Sequence, residues 1–198
     1  MTAGGEAPVM EMFNYVMVLA SVIVGLGIAH LLQGIAGIIQ HPGRERIYWV
    51  HLVWVAVIFM RAIFWWWFEF RLSETGQWSF ALYLFVLGYA FLLYLTCALL
   101  FPRDLADYDG FKDYFYSRKD WFFGMNFAGI GVDVVDSLAK GLDHFQSLGP
   151  SYPIIMAVLA SLFAIAMWTR SERFHAAFAV ASLAYLMYYP ITNFSTVQ

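Results

Sequence analysis

Three ionisable residues stand where greasy text should hold none. Arg61 interrupts "IFMRAIFWWWFEF", and Asp133 and Asp136 lie three apart in "NFAGIGVDVVDSLAKG". A cation and two carboxylates in apolar surroundings can lock helices together, pass a proton, ion or ligand, or act as acid and base. An arginine bound to both aspartates would hold them ionised, which argues against the last role. His30 is a further candidate, set among the glycines at 27, 34 and 37. It can pack as a satisfied histidine or titrate as a relay.

The elements that must position these groups follow from composition. Of 198 residues, 62% are hydrophobic, 20% aromatic and only 13% charged. That is the balance of an all-α membrane protein. Six stretches suit a hydrocarbon core of about 30 Å: 13–40, 47–70, 78–101, 121–142, 152–169 and 174–194. The expectation is a six-transmembrane-helix bundle forming one integral membrane domain over residues 1–198, with too little loop for a separate soluble catalytic domain. The N-terminus has Glu6 and Glu11 but no basic segment, and reads as a retained first span.

Loop charges set the orientation. Arg44, Arg46, Arg103, Lys112, Arg118, Lys119, Arg170 and Arg173 fall in the loops after spans 1, 3 and 5, against Arg71 and Lys140 on the other side. The eight-to-two split makes the first set cytoplasmic and puts both termini outside. A five-span alternative, with 121–142 on the surface, gives seven to three. The longest loop, between spans 3 and 4, repeats aromatics at Phe111, Tyr114, Phe115 and Phe122 beside Lys112, Arg118 and Lys119. This predicts a short interfacial helix with its basic residues near anionic headgroups. Trp65, Trp66, Trp67 and Trp78 mark the outer boundary, and Trp49, Trp121 and Trp168 the inner one.

Depth then selects partners. Counted from Tyr48, Arg61 lies about 20 Å along span 2; counted from Trp121, Asp133 and Asp136 lie about 18 and 22 Å along span 4, which runs the same way. A cation at that depth costs roughly 3 kcal/mol unless it is paired or wet. An intramembrane salt bridge from Arg61 to one or both aspartates is therefore expected, with Glu69 as the poorer partner. The seam of span 4 collects Phe122, Asn126, Gly129, Asp133, Asp136, Lys140 and Asp143 on one side. His30 is expected about 15 Å deep. The predicted polar core or transport path is Arg61, Asp133, Asp136, His30, Asn126 and Gln33.

Much chemistry is absent from the text. No phosphate-binding glycine loop, nucleophile elbow or metal-spaced histidine cluster occurs, and Cys97 is the single cysteine. "DYDG" lacks both end ligands of a calcium loop. His30 matches no other histidine in depth; His51 and His175 both lie near the cytoplasmic surface and could meet, but no haem, other cofactor or metal is expected. No basic stripe suggests nucleic acid.

The stretches "HPGRERIYWVHLVWV", "LFPRDLADY" and "SRKDWFFG" resemble those of a group of short bacterial polytopic integral membrane proteins of no known function. The resemblance covers most of the chain. It implies a bacterial inner-membrane location and brings no activity, cofactor or site with it. Two functional classes stay open: an oligomeric channel or transporter for protons, ions or a small solute, and a non-enzymatic accessory or scaffolding subunit of a larger membrane complex. The expected partners are the lipid bilayer and either further copies of the chain or other membrane subunits. An intramembrane enzyme or lipid-binding protein is a third, weaker reading.

Overall fold

The computed structural model describes residues 3–41, 43, 46–74 and 78–193. Arg44 and the last residue of the expected sixth span, Phe194, lie outside the described residues. The described chain is all-helical: α1 (Ala3–Gln40), α2 (Trp49–Glu69), a 3-10 segment (Phe70–Glu74), α3 (Phe80–Ala98), α4 (Phe111–Ala139), α5 (Leu142–Ser147), α6 (Ser151–Trp168) and α7 (Glu172–Asn193). Five helices are long and apolar enough to cross a membrane: residues Met12–Gln40 of α1, then α2, α3, α4 and α6. The protein therefore reads as an integral membrane protein.

Packing is layered around α2. α1 lies mainly on α3, α4 on α6, and α7 on α2. Within the most apolar window of each span, 44% of α2 is buried but only 11% of α6. The helices alternate in direction. At one end, here the Trp49 end, the Phe111 N–H donates to the Arg46 carbonyl at 3.1 Å and the Tyr114 hydroxyl to the Leu99 carbonyl at 2.8 Å. At the opposite, Glu69 end, Lys140 lies beside Glu69.

The separate interfacial helix expected after span 3 does not exist. Residues 111–119 open α4, which runs unbroken for 29 residues. Gly110, at φ +90°, starts it, and Gly141, at φ +109°, follows its end. Both conformations favour glycine. Its aromatics face protein rather than lipid: Phe111, Tyr114 and Phe115 are buried. They extend toward the N-terminus the seam that Phe122, Asn126 and Gly129 define, so one helical stripe replaces two. Lys119 is buried too, donating to the Met167 carbonyl at the end of α6 and to Asp120 rather than to headgroups. An end-of-helix carbonyl has no intrahelical donor, and the ammonium supplies one.

Two closures shape the Trp49 end. His30 and His51 hydrogen-bond the carbonyls of Phe101 and Leu100, at 3.0 and 2.6 Å, just beyond α3. The Phe101 ring occupies the space a side chain at Gly34 would need. The tryptophan belts are partly as expected. Trp49, Trp66, Trp67, Trp121 and Trp168 are exposed, but Trp65 is buried edge-on against Tyr89, because three consecutive residues of a helix cannot share one face.

Gly34→Val is expected to destabilise the protein by about 1–3 kcal/mol through overpacking, with partial recovery when Phe101→Ala is added. Gly25→Val, where no atom lies within 4 Å of the new carbon, serves as the control. Unfolding midpoints in detergent check this; equal midpoints for Gly34→Val and the native protein would contradict it.

Candidate functional site

α2 and α4 run in the same direction and bring their polar seams together. Arg61 Nη1 donates to Asn126 Oδ1 at 3.0 Å. The Asn126 amide donates back to the Phe122 carbonyl at 2.8 Å, which turns its oxygen toward the guanidinium. Gly129 makes the room: a Cβ there would lie 2.8 Å from Arg61 Nη2. The expected Arg61 ion pair with Asp133 or Asp136 does not form; among the described residues Arg61 lies within ion-pairing distance of no carboxylate.

The reason is side-chain direction. Side chains on a helix lean toward its N-terminus, so the long arginine reaches below its own Cα toward the Trp49 end. It meets the residue of α4 two turns before Asp133. Matching Cα depths identified the correct helix and the wrong rung.

The two aspartates find other partners. Asp133 Oδ2 accepts from the Tyr152 hydroxyl of α6 at 2.9 Å, and its Oδ1 accepts from the Tyr89 hydroxyl of α3 at 3.3 Å. Ser137 adds a hydroxyl contact to Tyr152 at 3.0 Å. Asp136 Oδ2 accepts from the Lys140 ammonium one turn on, and Lys140 also lies 3.5 Å from Glu69 Oε2. Glu69 and Asp136 are almost wholly buried, at 1% and 4% exposure, whereas Arg61 and Asp133 are partly exposed.

The result is a ladder of polar groups. It descends from Lys140 and Glu69 through Asp136, then Asp133 with its two tyrosines, to Arg61 and Asn126. Along α4, Lys140 to Asn126 covers about 21 Å. Below Asn126 the interior turns aromatic. Trp54 packs on Phe122, Phe123, Phe163 and Phe178 with ring centroids 5.2–6.2 Å apart. Only beyond that layer do polar groups return, at His51, Lys119 and His175.

Two expected members stand elsewhere. His30 is level with the end of α3, bonded to the Phe101 carbonyl, because α1 extends well past α3 and its residues count from a more distant end. Gln33 is exposed, on the rim of a 330 Å³ groove formed with Phe101 to Ala106. Glu69, Tyr89, Lys140 and Tyr152 belong to the site and were not in the expected set. The tyrosines carried a legible signal, since a phenol inside an apolar helix must find a hydrogen-bond partner.

A double-mutant cycle separates the observed pairing from the expected one. Asn126→Leu alone is expected to cost about 1–3 kcal/mol by stranding the guanidinium, and most of that cost should vanish in an Arg61→Met background. Arg61→Met with Asp133→Asn should be close to additive. Stronger coupling of Arg61 to Asp133 than to Asn126 would contradict the arrangement. No family model, no curated protein and no solved structure matches this chain.

Proposed function

We propose that the chain is a bacterial inner-membrane protein of six spans, with α7 as the sixth, both termini outside and the basic loops cytoplasmic. In this reading it moves protons, ions or a small solute as an oligomeric transporter. One observation carries the proposal: ionisable groups descend from the Glu69 end to Arg61, and Arg61 and Asp133 keep partial exposure deep in an apolar helix bundle. Charged groups inside a bilayer are costly, and a substrate path is one of the few roles that accounts for so many. The aromatic layer at Trp54 interrupts the path, so passage requires helices to part there. That favours a transporter over an open pore.

A second reading, an accessory subunit, has its own support. Polar side chains along the α4 seam also tie it to neighbours: Asn126 to α2, Asp133 to α3 and α6, and Lys140, at its C-terminal end, to α2. α6 turns apolar surface outward, with Ile154 at 65% and Trp168 at 82% exposure, toward lipid or another subunit.

Reconstitution into liposomes separates the two. Transport predicts proton or ion flux above that of empty vesicles, reduced about ten- to a hundredfold by Asp133→Asn or Arg61→Ala, the factor that corresponds to losing one charge-assisted hydrogen bond from the path. Flux equal to empty vesicles and insensitive to both changes would eliminate transport and leave the subunit reading.

A further inference from the structure

The ladder is not electrically balanced. Its described ionisable members are two cations, Arg61 and Lys140, and three carboxylates, Glu69, Asp133 and Asp136, which leaves one negative charge when all are ionised. The field around them contains the Tyr89 and Tyr152 phenols, from α3 and α6, both already donating to Asp133. Asp133 is thus satisfied by two hydroxyls. The other two carboxylates are not.

Their unmet oxygens point to the missing partner. Among the described residues Asp136 Oδ1 is buried with no hydrogen-bond partner, its Oδ2 being taken by Lys140. Glu69 Oε2 is buried without a hydrogen bond among the described residues, its contact with Lys140 being a 3.5 Å ion pair. Glu69 from α2 and Asp136 from α4 both approach the one Lys140 ammonium. Two carboxylates sharing one lysine, each with a buried oxygen that accepts no hydrogen bond, lack one hydrogen. Among the described residues no three His, Cys, Asp or Glu side chains are placed to hold a metal ion, and Lys140 already fills the cation position.

We infer that Glu69 and Asp136 form a proton-binding dyad, holding one exchangeable proton between their carboxyl groups beside Lys140. One proton taken from water at the Glu69 end brings the ladder from one net negative charge to zero and converts a carboxylate pair into a carboxyl–carboxylate pair. Its release restores the charge. The inference deepens the transport reading by naming the proton as the species bound.

The test uses the full chain in lipid nanodiscs. Infrared difference spectra between H₂O and ²H₂O near neutral pH should show a deuteration-sensitive carboxylic acid band, lost in both Glu69→Gln and Asp136→Asn. Lys140→Met, which removes a cation, should retain it. On the native protein, dicyclohexylcarbodiimide, which attacks protonated carboxyls in apolar surroundings, should label Glu69 or Asp136 by peptide mass. Absence of the band from the native protein, its survival in both carboxylate variants, or labelling confined to other acids would overturn the dyad. The band reports the proton whether or not it moves, so a positive spectrum with no liposome flux would sink transport and leave the dyad standing.

Discussion

The polar face of α4 is the constraint on which the rest depends. A helix carrying Asn126, Asp133, Asp136 and Lys140 along one side loses water on entering a bilayer, and each group must regain a partner or stay wet. α2 supplies Arg61 and Glu69, α3 supplies Tyr89 and α6 supplies Tyr152, so three helices are fixed in register against the fourth. The apolar surfaces of these helices could slide over one another at small cost. The hydrogen bonds cannot.

Below Arg61 the face of α4 packs by a different physics, now against α2, α6 and α7. Trp54, Phe122, Phe123, Phe163 and Phe178 meet mainly edge to face, the arrangement favoured by ring quadrupoles. The inward face of α4 is thus divided along its length into a polar half and an aromatic half, with the Arg61–Asn126 bond at the junction. The Trp49 end closes through unpaired helix carbonyls. His30, His51 and Lys119 each serve a carbonyl at or just past the end of a helix, leaving fewer free polar groups there than the residue types suggest.

The helices were largely legible in the sequence, because apolar length alone demands them, and so was the convergence of α2 and α4. What failed failed for geometric reasons. Cα depth without the lean of the side chain pairs Arg61 with Asp133 or Asp136 instead of Asn126. Residues 111–119 read as interfacial because aromatics beside lysines fit a membrane surface as well as a buried seam, and periodicity continuing into Phe122 was the distinguishing sign. His30 was misplaced because helix ends set by hydropathy ignored how far α1 outruns α3. Glu69 looked like a boundary residue; only the approach of Lys140 from another helix shows it as a buried one.

In the transport reading the polar stretch of the α4 seam takes up water and the aromatic layer stays dry. X-ray radiolytic labelling of the protein in nanodiscs, in which hydroxyl radicals arise from water at the site and mark adjacent side chains, reads this directly. Modification of Tyr89 and Tyr152 is expected, with Trp54, Phe123 and Phe178 unmodified. Equal labelling of the two layers, or modified aromatics beside untouched tyrosines, would contradict it.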